Sequence, residues 1–557
     1  MRMCSAILLR PKMCQLLVLM MGLVLLSCHQ KGTDSERPNF VIVMADDLGY
    51  ADIGSYGATI IETPNIDSIA NRGIKFKNFS NTAKCHVSRV SLISGLWCDQ
   101  AGNSSLKNAT PFPMVLKDAG YFTGITGKWH LYKNPLDWGF EKYFGHLSGF
   151  SDYVGGNGSF RMGREKYDEF GETTEDFYTT DAMTDYAIEF ISDWKQQEDS
   201  KPFALYIAYN APHSPLQAPK KLIEKYRGKF MKGWEYNQSQ RFARQKEIGL
   251  FDEGVELPQW PDHHRNWHEL SHLDKSWEDY RRAIYAAMVE SLDQNIGRLK
   301  SELIRTGEWD NTVFVFLSDN GSDAREINRK PYGNPWEKGF HVQVGTEWAG
   351  VGNTPFRWYK ESQHEGGIST PFIVSWPNGL KMNGWADFRA HIVDVYPTLL
   401  ELAGHPYPKS FNGRNTIPLE GESLVKAFNT PDCDREKPIF LKYVSNKGII
   451  QGEYKLVSSR KGPWELYNLD TDPTEQNDLS SLMPDRVERM KEGFSVFLQK
   501  NELSQKEANV NDYIAPWGIR SYTNSERKHL KEGDPNPSEV GPVWSGVPAM
   551  PLNKKGI

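Results

Sequence analysis

The chain has 557 residues, 39% of them apolar, and a formal net charge of −6. That length is too great for one ordinary domain, so two domains are the natural expectation. So small a charge on so long a chain excludes a nucleic-acid partner held by bulk electrostatics. Seventeen Trp and 24 Tyr suit a large core and also platforms for sugar rings, and do not separate the two.

Arg2, Arg10 and Lys12 precede an apolar run over residues 16–26. The run is too short to span a bilayer and has the pattern of a signal-peptide core. It ends in Leu25-Leu26-Ser27-Cys28, which resembles a bacterial lipoprotein cleavage box. The expectation is a signal peptide over 1–27, a lipid on Cys28 and a polar tether over 28–37. The protein would be exported to the periplasm or to the outer membrane and cell surface. An ordinary secretory signal is the alternative. Cys85, Cys98 and Cys433 then remain, too few for a disulfide framework. No spacing argument supports a Cys98–Cys433 bridge.

Residues 40–44 form a continuous apolar run, the pattern of a strand buried on both faces of a mostly parallel sheet. Asp46 and Asp47 follow at its carboxyl end, where α/β sheets place ligands. Two adjacent acids suit a low-dielectric site when a cation shares it; a solvated turn is the bland alternative. A capped helix starts at Thr63-Pro64, with Ile66, Ile69 and Ala70 on one face. Residues 76–79 read as a short strand, leading to Cys85-His86-Val87-Ser88-Arg89 and a helix over 87–94. A nucleophile at a helix N-terminus faces free N–H groups and the positive dipole end, a favourable place for an oxyanion. A lone cysteine is usually a small buried hydrophobe; here Ser88-Arg89 and Ser94-Gly95 favour catalysis.

A helix over 113–119 and a strand over 121–125 lead to Gly127-Lys128-Trp129-His130. Met183, Tyr186, Ala187, Phe190, Ile191 and Trp194 recur at helical spacing. The strand over 203–209 ends in Asn210-Ala211-Pro212-His213. Residues 220–274 are charged and aromatic and read as an insertion over the active-site edge. His264, His268 and His272 lie four apart, as on one face of a solvated helix. That spacing also suits zinc, but no acidic or cysteine partner completes the set. An amphipathic helix runs from Tyr285 to Leu299, and a strand over 312–317 ends at Asp319-Asn320-Gly321. These residues with Asp46 and Asp47 would make an all-oxygen site for Ca²⁺ or Mg²⁺. Lys360 precedes His364-Glu365-Gly366-Gly367, a strand over 371–376 and a helix ending near Gly404. Beyond Pro406, short strands with turn residues between them indicate a small antiparallel sheet, followed by a helix over 483–498. From Glu502 the chain is polar, then rich in Pro and Gly, with no legible fold.

Taken together, Asp46-Asp47, the Cys85 string, Gly127 to His130, Asn210 to His213, Asp319-Asn320 and Lys360 stand in the order found in type I sulfatases. The chain resembles that family over residues 38–479. One residue departs from the family's Cys-x-Pro-Ser-Arg: Val87 stands at the proline. The resemblance implies an α/β, alkaline-phosphatase-like fold: a large mixed, mostly parallel sheet sandwiched by helices. The catalytic domain would span 38–405. A smaller C-terminal antiparallel domain with a packed helix would span 406–500, and a tail 501–557. It also implies that a formylglycine-generating enzyme oxidises Cys85 to formylglycine, whose hydrate attacks sulfur with one hydroxyl and expels sulfate with the other. Arg89 would hold that hydrate, and Lys128 and Lys360 the sulfate oxygens. His130 would take the second hydroxyl's proton, and His213 with Lys360 would protonate the leaving oxygen. Asp46, Asp47, Asp319 and Asn320 would bind Ca²⁺, or Mg²⁺. The expected substrate is a sulfated small molecule or glycan. Two other readings stay open: a phosphomonoester or phosphonate hydrolase of the same superfamily, and a non-catalytic glycan-binding relative in which Val87 blocks modification.

Overall fold

The structure, a computed structural model, describes residues 37–197, 201–326, 333–459 and 462–501. The expected signal peptide, Cys28, and the tail beyond residue 501 lie outside the described residues. The chain divides into two units between Arg37 and Pro38, and the elements described here all belong to the second.

Residues 40–44 are apolar at every position because both faces of their strand are covered. β1 (Asn39–Ala45) lies inside a ten-stranded sheet with β2 (Ile74–Phe76), β3 (Phe122–Lys128), β4 (Lys142–His146) and β5 (Phe160–Met162). The remaining strands are β6 (Glu165–Lys166), β7 (Phe203–Ala208), β8 (Thr312–Ser318), β9 (Phe372–Ser375) and β10 (Gly384–Ala386). Their order is β10-β2-β9-β8-β1-β7-β3-β4-β5-β6. The central run from β8 to β4 is parallel throughout, and β9 and β5 run against their neighbours. The sheet is therefore mixed and mostly parallel, as expected.

Alternate residues feed two cores. Val41, Val43, Leu205, Ile207, Phe314 and Phe316 face one of them. It is closed by α2 (Thr179–Lys195), α3 (His272–Arg305) and the helix Pro64–Ala70. Phe40, Ile42, Met44, Tyr206, Val315 and Leu317 face the other. That side is closed by α1 (Cys85–Ser94) and the helices Phe112–Asp118 and Val395–Leu402. Because β1, β3, β7 and β8 are parallel, their carboxyl ends meet at one edge. Each carries one of the chemical strings that mark the sequence.

After Pro406 come β11 (Ile439–Tyr443), β12 (Asn446–Gln451), β13 (Tyr454–Ser458) and β14 (Glu465–Asn468), an antiparallel sheet in that order. α4 (Pro484–Lys500) covers it. Leu441, Ile449, Leu456 and Leu466 pack there with Met490, Phe494 and Phe497. Ala83, Trp97, Ile368 and Val393 of the larger sheet's layers join the same core.

One expectation needs correction. His264, His268 and His272 do not share a helical face: His264 is buried against Tyr359, His268 lies in a 3-10 turn, and His272 opens α3. The side chains of Asn266 and Ser271 each accept an N–H at a new helix start, and so break the run. Residues 220–274 are packed into the body, with Ile223, Tyr226, Phe230 and Trp234 in the first core. Cys85, Cys98 and Cys433 are all free thiols, so no bridge joins the last two.

Candidate active site

α1 begins at Cys85 itself. Lys84 before it is extended, and no side chain caps the first turn, so the N–H groups beside Cys85 are open to an anion. Cys85 is buried. Arg89 stands one turn along on the same face. Its Nε and Nη2 donate to Asp319 Oδ2 at 3.2 and 2.9 Å, and its Nη1 to the Lys128 carbonyl at 2.8 Å. Asp46 Oδ2 is 3.8 Å from Nη2. Burial works against the charge on Arg89, but Tyr206, Asp319 and Asp46 outweigh it and raise its pKa.

The four residues expected to bind metal converge. Lys128 Nζ donates to Asp46 Oδ2 at 2.6 Å, and Lys360 Nζ to Asp47 Oδ1 at 2.5 Å. Asn320 Nδ2 donates to the same Asp47 oxygen at 2.6 Å, and the Asp47 N–H lies 3.3 Å from Asp319 Oδ1. Asp46 Oδ1, Asp47 Oδ2 and Asn320 Oδ1 are buried without a hydrogen-bond partner among the described residues. Such orphaned oxygens are costly unless something positive meets them. Ligand atoms of Asp46, Asp319 and Cys85 lie within 4.8 Å of one another, as do those of Asp46, Asp47 and His213. The donor set therefore fits a hard divalent cation beside Cys85. Asp47 holds a left-handed φ of 65°, a strained conformation common at functional sites.

The carboxylates are unequal. Burial pushes Asp47 up, but Lys360, His213 and Lys128 outweigh it and hold it well below the usual range. Burial and the neighbouring Asp46 push Asp319 up to about 6. Crowded acids short of positive charge behave in this way.

Gly127 explains part of the Gly-Lys-Trp-His string. A Cβ there would lie 2.0 Å from the Ala208 carbonyl, at a φ of 99°. Only glycine lets β3 approach β7 closely enough to deliver Lys128. His130 follows at a φ of 58°, with its Nδ1 buried and without a hydrogen-bond partner among the described residues. Burial, with Lys128 next, holds it well below the usual imidazole range. His213 Nδ1 donates to the Ser214 carbonyl at 2.5 Å, and its Nε2 is 3.5 Å from Asp47 Oδ2. Burial pushes His213 down to about 3, Lys360 and Lys128 adding to it and Asp47 opposing. All ten expected residues thus sit at one sheet edge.

Sequence reasoning missed the ring around them. Glu361, next to Lys360 and at a φ of 77°, grips both Lys84 and Arg325, the latter at 2.6 Å. Asp323 Oδ2 stands 3.7 Å from Lys360 Nζ. The His86 ring lies 5.7 Å from that of His130 and 6.2 Å from that of Tyr443, so the C-terminal sheet reaches the site through Tyr443. Position was the available signal: Lys84 adjoins Cys85, Glu361 adjoins Lys360, and Asp323 follows Asp319-Asn320-Gly321.

A buried thiol at a helix start, surrounded by cations and by carboxylates with free oxygens, suits transfer of a tetrahedral oxyanion. The family model described as Sulfatase matches residues 38–405, and that described as N-sulphoglucosamine sulphohydrolase, C-terminal, matches 355–494. An arylsulfatase of Klebsiella aerogenes is 31% identical over 432 residues, 70% of this chain and 91% of that one. An N-acetylglucosamine-6-O-sulfatase of Bacteroides thetaiotaomicron is 26% identical over 565 residues, covering 89% and 91%. The solved structure of Ps i-CgsB with k-i-k-neocarrahexaose superposes with a TM-score of 0.63 over 86% of this chain and 96% of that one. Its 23% identity makes it a likeness of fold. With a family model spanning well over half its length, the chain belongs to the sulfatase family and is a sulfuric ester hydrolase.

Proposed function

We propose that the sulfate ester cleaved is borne by a sugar, and that the reaction centre is Cys85 among Arg89, Lys128, Lys360 and the four oxygen ligands. The Bacteroides relative is named for a sugar sulfate, and Ps i-CgsB was solved with a saccharide. The observation that supports the assignment of the centre is Cys85 Sγ beside Asp46 and Asp319, in a cluster where Asp46 Oδ1, Asp47 Oδ2 and Asn320 Oδ1 have no hydrogen-bond partner among the described residues. Asp46, Asp47, Asp319 and Asn320 would hold Ca²⁺, with Mg²⁺ the second choice. When bound, the ion supplies Lewis acidity at the ester oxygens. Formylglycine, made from Cys85 by the formylglycine-generating enzyme, supplies the nucleophilic oxygen.

The chain's own residues do the rest. Arg89 is a fixed cation that balances Asp319 and Asp46 and orients the group at position 85. Lys128 and Lys360 each donate a hydrogen bond to one carboxylate, Asp46 and Asp47, and an ammonium has three donors. Each can therefore keep that contact and still donate to a sulfate oxygen as charge grows there. His213 presents Nε2 to the departing oxygen because Nδ1 is tied to Ser214. His130 accepts a proton at position 85 in the second half of the reaction. Export and a lipid on Cys28 rest on residues 16–28 of the sequence, and would place the enzyme where extracellular sulfated glycans are met.

Free sulfate should appear from sulfated monosaccharides with Ca²⁺ present. A chelator should remove both the activity and part of the thermal stability, because crowded carboxylates lose their counter-charge. Added Ca²⁺ should restore both. Cys85→Ala should keep the circular dichroism spectrum and lose turnover. Unchanged melting and turnover in chelator would rule out the metal, and wild-type turnover by Cys85→Ala would rule out the nucleophile.

A further inference from the structure

Three aromatic side chains are strongly exposed among the described residues: Tyr132 at 62%, Phe150 at 50% and Tyr236 at 39%. The first two flank His130. Tyr132 follows it by two residues, so the two Cα atoms lie within about 7 Å. Phe150 follows Gly149, where a Cβ would come within 2.6 Å of His130 Nε2. The loop bearing Phe150 therefore rests on the His130 ring, and any side chain at 149 would displace it.

Both aromatics hang from fixed backbone. The Tyr132 N–H donates to the Ser104 carbonyl at 2.9 Å, and its own carbonyl accepts from Trp138 Nε1 at 2.9 Å. The Phe150 carbonyl accepts from Ser148 Oγ and from Asn157 Nδ2, each at 2.8 Å. Nothing in the packing of the core needs these two rings in water. A large apolar ring held out on rigid backbone is unfavourable for the free protein and favourable for binding, because little conformational entropy is left to lose.

We infer that Tyr132 and Phe150 form a platform that stacks on a pyranose ring of the substrate, the ring adjoining the sulfated one. This platform rests on the proposal that the substrate is a sugar sulfate. The apolar C–H face of a pyranose suits an aromatic surface. The tyrosine hydroxyl and the exposed Lys133 beside it suit a ring edged with hydroxyl and anionic groups better than a plain aryl group. The site would therefore prefer sulfated oligosaccharides to sulfated monosaccharides.

Steady-state kinetics of wild type, Tyr132→Ala, Phe150→Ala and the double variant test this. The probes are 4-nitrophenyl sulfate, sulfated galactose and glucosamine, and sulfated hexasaccharides of the same sugars. On a hexasaccharide each single variant should lose about tenfold in kcat/KM, through KM. On the monosaccharides and on 4-nitrophenyl sulfate the change should stay within about twofold. Tyr132→Phe should recover most of the loss, and melting temperatures should not move. Equal losses on all probes would show a structural role and overturn the platform. Variants that match wild type on the hexasaccharide overturn it too; if wild type still cleaves the monosaccharides, the sugar reading survives. An enzyme that cleaves 4-nitrophenyl sulfate and no saccharide overturns both.

Discussion

His213 keeps one nitrogen on the Ser214 carbonyl and turns the other toward Asp47. Burial holds its pKa low and Asp47 opposes that shift; with Nδ1–H donating to Ser214, Nε2 has a proton for a departing oxygen only in the imidazolium form, which the nearby Asp47 carboxylate favours. A sugar alkoxide is a poor leaving group and needs that proton in the transition state; a nitrophenolate does not. His213→Ala should therefore lower turnover of a sugar sulfate by ~10²–10⁴-fold and that of 4-nitrophenyl sulfate far less. Turnover on both substrates decides it: equal losses would remove His213 from the leaving-group side. Arg89 is different in kind. Its guanidinium ties Asp319 to the Lys128 carbonyl, so its loss would disturb the carboxylates and the lysine together, whatever the substrate.

α1 carries the one departure from the family pattern. The first backbone bond at its start runs from the Ser88 N–H to the Lys84 carbonyl, so the Val87 N–H lies in the turn whose donors have no intrahelical partner. A proline there removes no hydrogen bond and suits the first turn. Val87→Pro should leave the melting temperature within a few degrees of wild type, whereas Val90→Pro, inside the helix, should cost ~3 kcal/mol or more. Thermal unfolding separates them, and a large loss for Val87→Pro would mean that the buried valine methyls matter more than the backbone. The intact mass of the Cys85 peptide in the same samples reports whether proline alters formylglycine formation. Elements of this kind were legible because their patterns are local: β1, β7 and β8 as unbroken apolar runs, α2 as a 3.6-residue stripe. Their carboxyl-end residues were legible because parallel strands collect such ends at one edge. What stayed hidden was long-range pairing of buried charge. The reading from Tyr285 to Leu299 missed the first part of α3, because Glu278, Arg281 and Arg282 look like surface residues in sequence. In the fold, Arg281 and Arg265 meet Glu278 and Glu326, and Arg282 meets Asp52. The same blindness left Glu361 and its two cations unread.

At the scale of the whole molecule, the C-terminal sheet holds the segment that carries Lys360. Arg357 donates to the Glu475 carbonyl, the Glu361 carbonyl accepts from Asn446 Nδ2 at 2.7 Å, and His364 Nε2 is 2.9 Å from Glu465. At the centre is Lys455, fully buried on β13, with Glu365 at 2.6 Å and Glu475 at 2.8 Å. Glu475 also accepts the Glu365 N–H at 2.8 Å. Burial alone would discharge Lys455, but the two carboxylates raise its pKa above the ordinary value. Removing one member of such a buried set strands the others, which is costlier than never having had the set. Lys455→Met should therefore destabilise the protein by ~3–5 kcal/mol, and it should also lower activity, because the strand-and-loop junction that aims Lys360 at Asp47 would shift. Lys455→Met combined with Glu365→Gln and Glu475→Gln removes the stranded charge and should recover much of the stability. Denaturant midpoints for the single and triple variants, with turnover beside them, measure both effects. A single variant within ~1 kcal/mol of wild type and fully active would show that the C-terminal sheet does not position Lys360.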